Sequence, residues 1–218
     1  MQPADDKQWT IQAALSEPIA STIDPKFRLI EDNGWPNIEG RIALGLGCVD
    51  GVGLAAQRPF ELGVSGVVGE IRFTDLAATQ VVSDVWGVGA DFRWRINERF
   101  GVAGELFTGE TLGTYNGGVL QNINAVTFTG IQSSGGWIES YVYWTPCLHT
   151  HVGYGIDDPK DSDVAAGGRL KNETYYANVL WDLNPTFRIG LEFAWRETEY
   201  RLLPNEGAGI HTQFQWAF

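Results

Sequence analysis

The sequence predicts an all-β protein, an antiparallel up-and-down barrel whose strands cross a membrane. Ten segments of about ten residues alternate apolar with polar side chains, and short connections alternate with long ones. Because successive side chains of a strand point to opposite faces, each segment gains one apolar and one polar face. A tilted strand of about ten residues is long enough to cross a bilayer.

The last strand shows the pattern most simply. Ile210, Thr212, Phe214, Trp216 and Phe218 fall on one face, and polar residues or alanine fall between them. Chain ends tend to fray in water, so a large aromatic residue at the last position is unusual for a soluble protein. We therefore predict that this strand is paired on both edges and that its outer face meets lipid.

Similar alternation defines the other nine strands in turn. The ten predicted strands are residues 8–16, 38–47, 60–73, 86–96, 100–108, 137–144, 148–157, 174–182, 187–197 and 210–218. Their lipid-facing residues include, strand by strand, Trp9 and Ile11; Ile38 and Ile42; Leu62 and Val64; Val88, Phe92 and Trp94; Val102 and Leu106; Ile138 and Trp144; Val152 and Tyr154; Tyr175 and Trp181; Leu191 and Phe193; and Phe214 and Trp216. In the third strand Glu70 and Arg72 interrupt the phase, which predicts a bulge near Gly69 or an early end.

The connections sort into two classes. The tight turns are 97–99, 145–147 and 183–186, and the long polar loops are 17–37, 74–84, 109–136, 158–173 and 198–208. Short turns at one end and long loops at the other are typical of membrane barrels; the connection 48–59 is the exception, being long where a short turn is expected. For loop 109–136 two roles stay open: folding inward as a constriction, or meeting a neighbouring subunit.

Composition narrows the function classes. The 218 residues carry a net charge of −12, which disfavours nucleic acid as a partner because phosphates are repelled. No run of eighteen apolar residues predicts a membrane-spanning helix. We expect one domain over residues 1–218, without a visible signal peptide in the polar residues 1–7. Either a signal was removed, or the chain is the C-terminal part of a longer one.

Three features together resemble the outer-membrane β-barrels of Gram-negative-type bacteria, the porins and their relatives. They are FQWAF at 214–218, WGVGADFRWRI at 86–96 and the alternation of short and long connections. General porins use sixteen or eighteen strands, so ten strands also fit the C-terminal part of a larger barrel.

The resemblance implies that the protein lies in the outer membrane, in contact with its lipid. It further implies a channel for passive diffusion of small hydrophilic solutes, and no enzymatic activity. It also implies that Phe214, Trp216 and Phe218 form the signal for the barrel-insertion machinery, and it leaves a homo-oligomer open. No cofactor is expected.

Charged side chains are predicted to face the interior. The residues predicted to line a pore are Arg41, Asp91, Arg93, Arg95, Glu105, Glu139, Arg188, Glu192 and Arg196. They either pair across strands and fill a narrow barrel, or line an aqueous pore and set its ion preference. Arg93 and Arg95 point the same way, and Glu105 on the next strand is their expected partner.

The sequence contains only weak signals for metal binding or for catalysis. His149 and His151 have a spacing that can chelate a metal, but no third ligand lies nearby in sequence. His211 and Asp157 both belong near the outer rim, where a hydrolase could use them. The acidic stretch 157–163 lacks an EF-hand pattern, so an acidic surface loop is preferred to a calcium site. The alternatives to a channel are a structural or adhesion barrel with a filled lumen, a hydrolase and a soluble β-sandwich.

Overall fold

A computed structural model of the chain describes residues 6–17, 35–50, 56–74, 80–201 and 203–217. They form one antiparallel sheet in which ten strands follow one another in chain order. The strands are β1 (Lys7–Ser16), β2 (Asn37–Leu46), β3 (Phe60–Thr74), β4 (Gln80–Arg95), β5 (Phe100–Glu110), β6 (Gln132–Thr145), β7 (Leu148–Pro159), β8 (Arg169–Asn184), β9 (Phe187–Tyr200) and β10 (Asn205–Trp216). The predicted all-β, up-and-down fold is confirmed.

Most strands are longer than predicted, and the added residues lie at the ends that lead into the long loops. β4 begins at Gln80 and β8 at Arg169, several residues before the predicted starts at 86 and 174. Alternation marks the part of a strand that has an apolar outer face. Beyond that part the backbone continues to pair, but the outer side chains are polar and leave no hydrophobic period to detect.

The predicted bulge near Gly69 is wrong. β3 pairs with β4 without interruption from Phe60 to Thr74. Glu70 and Arg72 keep the phase and form an ion pair with each other, while Ile71 on the opposite face is 1% exposed. Two charged neighbours on the outer face therefore satisfy each other, and no extra residue is needed.

Small polar side chains fix the tight turns. Asn97 Oδ1 accepts hydrogen bonds from the backbone N–H groups of Arg99 and Phe100, each at 2.9 Å. Thr145 Oγ1 accepts from the backbone N–H of Leu148 at 3.0 Å, and Asn184 Oδ1 accepts from that of Thr186 at 2.9 Å. Such side chains replace backbone partners where the chain reverses.

The apolar residues face outward, as predicted. Trp94, Phe193 and Phe214 are 49%, 49% and 73% exposed, so the large aromatic side chains are not gathered into an internal core. We call the opposite face, which carries the charged side chains, the concave face. Within the described ranges no helix has the length and apolar character needed to cross a membrane.

The sheet curves, and its described strands do not close into a ring. The segment between β5 and β6 contacts Asn37 at the start of β2 and Arg169 at the start of β8, so the sheet wraps around it. In the residues that the structure describes, β1 and β10 are the two edges and no pairing joins them. The described strands therefore form a curved wall bounded by β1 and β10.

Substitution by arginine at two adjacent positions tests the two faces. Val64 is 60% exposed on the apolar face, and Ser65 lies next to it on the concave face. We expect Val64→Arg to lower the free energy of unfolding in lipid vesicles by about 2–4 kcal/mol, because a charge near mid-membrane loses its water. Ser65→Arg should change it little. Equal losses in urea titrations of both variants would contradict the assignment of the faces.

Candidate functional site

Charged and aromatic side chains lie in rows across the concave face. Residues opposite each other on paired strands share a face, and the register places Asp91, Glu105 and Trp137 in one row. The nine residues predicted to line a pore all occupy this face; that they line a pore stays a prediction.

The first cluster centres on Arg41 of β2. Its Nε donates to Asp91 Oδ2 at 3.0 Å, and its Nη2 donates to Glu61 Oε1 at 2.9 Å. Arg93 Nη2 lies 3.5 Å from the other oxygen of Glu61. These contacts run along the wall across β2, β3 and β4, so the charges neutralise one another without reaching over the open side of the sheet.

Glu105 is not the partner of Arg93 and Arg95, and that prediction is wrong. The register sets Glu105 opposite Asp91, whereas Arg93 and Arg95 face Ala103 and Gly101, which carry no charge. Arg93 pairs with Glu61, and Arg95 Nη1 lies 3.1 Å from Asp50 Oδ2. The pairing could not be predicted because the register between β4 and β5 decides it.

A second cluster lies on β6 to β9. His149 Nδ1 is 2.9 Å from His151 Nε2, and His151 Nδ1 is 2.9 Å from Glu139 Oε1. The Tyr176 hydroxyl donates to Glu139 Oε2 at 2.9 Å. His149 is 2% exposed and stacks on Tyr143, with ring centroids 4.6 Å apart. The two imidazoles therefore form part of a hydrogen-bonded chain along the wall.

The row of contacts from Glu139 through His151 and His149 ends on Asp182, a residue that the sequence analysis did not identify. Asp182 Oδ2 lies 3.6 Å from His149 Nε2 and accepts a hydrogen bond from Arg188 Nη2 at 3.1 Å. Asp182 shares the even-numbered phase of Thr174 and Asn178, which is the signal that could have placed it on this face. In the described part of the chain no three His, Cys, Asp or Glu side chains are grouped to hold a metal ion.

The long connection between β5 and β6 folds over the concave face. We call residues 111–131 the inner loop; it contains two short 3-10 turns, Gly113–Tyr115 and Gly118–Leu120. Leu112 packs in an apolar cluster with Ile71 and Val85. Of the two roles left open for this loop, the structure shows inward folding.

Polar contacts fasten the inner loop at both sides of the wall. The Tyr115 hydroxyl accepts a hydrogen bond from Asn37 Nδ2 at 2.8 Å and lies 3.0 Å from Ser16 Oγ. On the far side, the Gln121 side chain makes two hydrogen bonds with the backbone of Arg169, at 2.8 and 3.0 Å. The loop is thereby tied to β1, β2 and β8 together.

The inner loop also holds strained backbone. Thr111, Val119 and Leu120 have φ values of 61°, 48° and 62°, a region that branched side chains seldom adopt. The N–H of Val119 donates to the Asp157 carboxylate, which also accepts from Ser133 Oγ. Because such strain persists only where surrounding contacts enforce it, Asp157 is a positioning residue for the loop.

The contacts of Asp157 do not support its use in a hydrolase with His211 or in a calcium site of the acidic stretch 157–163. Its carboxylate is engaged by Val119 and Ser133, not by His211. His211 Nδ1 instead lies 3.3 Å from Glu192 Oε1 on the neighbouring strand. In the acidic stretch, Asp163 accepts a hydrogen bond from the backbone N–H of Gln132 at 3.4 Å and lies 3.6 Å from Lys160 Nζ.

Two clefts remain open on the concave face beside the inner loop. One, of about 560 Å³, is lined by Tyr115 and Leu112 of the loop and by Glu39. The other, of about 430 Å³, is lined by Glu61, Asp91, Arg93, Trp137 and Glu139. Arg41, Ser65 and Glu105 line both, so the two clefts are neighbours along the wall.

The residues of the predicted insertion signal face outward where the structure describes them. Phe214 and Trp216 are 73% and 70% exposed on β10. Phe218 lies outside the described residues, so its role stays a prediction. Cys48 and Cys147 are both free and exposed.

Two solved structures of outer-membrane proteins share this fold. The outer membrane channel DcaP of Acinetobacter baumannii aligns with a TM-score of 0.70 at 11% identity, over 98% of this chain and 59% of its own. The anion-selective porin from Comamonas acidovorans aligns with a TM-score of 0.58 at 10% identity, over 98% of this chain and 56% of its own. The chain thus has the fold of outer-membrane channels and spans under two thirds of their length.

Sequence comparison adds no relative to these. No protein-family model matches the sequence, and no curated protein matches it.

The cluster around Glu139 predicts a stability effect. Gly153 faces the Tyr176 ring, and a Cβ on Gly153 would lie 2.2 Å from Tyr176 Cζ. We expect Gly153→Ala to displace the ring, break the Tyr176–Glu139 hydrogen bond and lower the free energy of unfolding by about 1–3 kcal/mol. Gly207→Ala on β10 is the matched control, because no atom lies within 4 Å of its added Cβ. Equal stability of both variants in urea titrations would show that the Tyr176 contact is unimportant.

Proposed function

We propose that this chain forms the wall of an outer-membrane channel through which small hydrophilic solutes diffuse passively. The observation that carries the proposal is the pair of adjoining clefts beside the inner loop. Although the loop folds over the concave face, open space remains along the polar side chains of Arg41, Ser65 and Glu105. Charged walls around such a passage admit water and dissolved solutes. A barrel with a filled lumen, the main alternative, would have side chains in that space.

The outer face and the fold support the location. An apolar face that presents Trp94, Phe193 and Phe214 outward matches the surface that a bilayer requires. The two structural neighbours are outer-membrane proteins. We therefore place the protein in the outer membrane of a Gram-negative-type bacterium, inserted by recognition of Phe214, Trp216 and Phe218.

We further propose that the free edges of β1 and β10 pair with additional strands. An unpaired strand edge exposes backbone N–H and C=O groups, and each such group is costly in lipid. Additional strands would also widen the lumen, because barrel diameter grows with strand number. The neighbours, which are longer than this chain, are consistent with such a barrel.

Acids outnumber bases on the described part of the concave face, which favours cations over anions. On the strands of this face, the bases are Arg41, Arg93, Arg95, Arg188 and Arg196, and the acids are Glu39, Glu61, Asp91, Glu105, Glu139, Asp157, Asp182 and Glu192. A surplus of carboxylates lowers the energy of a cation in the passage and raises that of an anion. The Comamonas porin is anion-selective, so the proposal separates this chain from that neighbour.

Conductance measurements test the channel directly. The purified protein added to planar bilayers should give discrete current steps, with a reversal potential in a KCl gradient that shows preference for K⁺. A protein that inserts, shown by heat-modifiable migration on gels, but gives no steps would favour the filled-lumen alternative.

Charge neutralisation tests the origin of the preference. We expect Glu39→Gln to shift the reversal potential toward Cl⁻, because Glu39 lines the cleft beside the inner loop. Glu98→Gln is the control, since Glu98 lies exposed in a tight turn outside both clefts. An equal shift in the two variants would mean that total protein charge, not the cleft, sets the preference.

Loosening the inner loop tests its role as a constriction. Tyr115→Phe removes the hydroxyl that contacts Asn37 and Ser16 and leaves the ring in place. We expect noisier currents and a higher mean conductance, because the loop loses its attachment on one side. Tyr200→Phe, at the outer end of β9, is the control. Unchanged currents in Tyr115→Phe would show that this attachment does not limit flow.

A further inference from the structure

Trp137 stands out among the residues of the concave face. Its side chain lies on the face that carries the charges, yet Trp137 is 38% exposed and lines the cleft of about 430 Å³. Most large aromatic residues of this protein face the opposite way, toward lipid. Tyr176 on the same face is hydrogen-bonded to Glu139 and Tyr143 is stacked on His149, whereas the Trp137 ring borders open space in the cleft.

The neighbours of Trp137 leave its ring accessible. Its partner on β7 is Gly155, and the preceding residue on its own face is Gly135. Neither glycine has a side chain that could cover the indole. The other two neighbouring positions on this face hold carboxylates, Glu105 across on β5 and Glu139 two residues along β6.

Glu105 has no cationic partner in the part of the chain that the structure describes. Its Oε2 accepts a hydrogen bond from Trp137 Nε1 at 3.3 Å. Asp91, next to it across the strands, is already engaged by Arg41. The same cleft holds the carboxylates of Glu61, Asp91, Glu105 and Glu139 against the guanidinium groups of Arg41 and Arg93. The cleft therefore holds more carboxylates than guanidinium groups, and among its described residues Glu105 is the carboxylate without a cationic partner.

We propose that Trp137 and Glu105 form a binding subsite for small organic cations. An ammonium group placed over an indole face is attracted by the ring quadrupole, and a neighbouring carboxylate adds charge attraction. The apolar substituents of an organic cation also gain from contact with the ring, which an inorganic cation cannot do. The inference rests on the proposed function, since it names a solute class for the same passage.

Calorimetric titration with choline chloride tests the subsite without requiring conductance. The wild-type protein in detergent should bind choline, whereas glucose and benzoate should not bind at the same concentrations. We expect Trp137→Leu and Glu105→Gln each to weaken choline binding about tenfold, which corresponds to about 1.4 kcal/mol. Trp144→Leu is the matched control, because Trp144 lies on the same strand but is 61% exposed on the lipid-facing side.

The outcomes separate the subsite from the channel. Choline binding that is lost in the two variants and kept in Trp144→Leu supports the subsite, even if no current is seen. Current without choline binding, or choline binding unaffected by Trp137→Leu and Glu105→Gln, overturns the subsite and leaves the channel standing. Binding of glucose or benzoate as strong as that of choline also overturns it, since the pair would then not select for positive charge.

Discussion

The requirement that backbone polar groups be paired inside a bilayer governs this structure. Lipid offers no hydrogen-bond partners, so each crossing segment must pair along its length with a neighbour. Among the described residues, ten consecutive antiparallel strands pair with their neighbours in chain order, and the outer edges of β1 and β10 carry no paired strand. The alternation of side chains then assigns one face to lipid and the other to water, and the charged clusters of the candidate site lie on the second face.

Cross-strand register turns that face into a chemical surface. Neighbouring strands place Arg41 against Asp91 and Glu61, and set Glu105 beside Trp137. Two glycines contribute to this arrangement of side chains. Gly153 makes room for Tyr176, and Gly155 leaves Trp137 uncovered. The inner loop covers part of this face. Its strained backbone at Val119 is held by a hydrogen bond to Asp157. The arrangement of charge and of aromatic surface on this face is thus a consequence of strand pairing.

The sequence predicts the strands and their faces well because both depend on a local period of two. It fails where the answer depends on distant parts of the chain. Glu105 was matched to the wrong partners because a side chain's neighbour depends on register. Asp182 and Trp137 are a different case, since the local period of two is sufficient to place both on the concave face. The inward path of the inner loop depends on Tyr115 meeting Asn37, a contact between residues 78 apart in sequence. No local pattern encodes it.

The account requires that one face of each strand meet hydrocarbon while the other meets water. Spin labels placed one at a time at residues 88–95 of β4, in a cysteine-free protein in lipid vesicles, measure this directly. Even-numbered positions should be relaxed by oxygen, which dissolves in lipid, and odd-numbered positions by a water-soluble nickel chelate. If all eight positions respond alike to the two reagents, β4 does not separate lipid from water, and the assignment of the two faces is wrong.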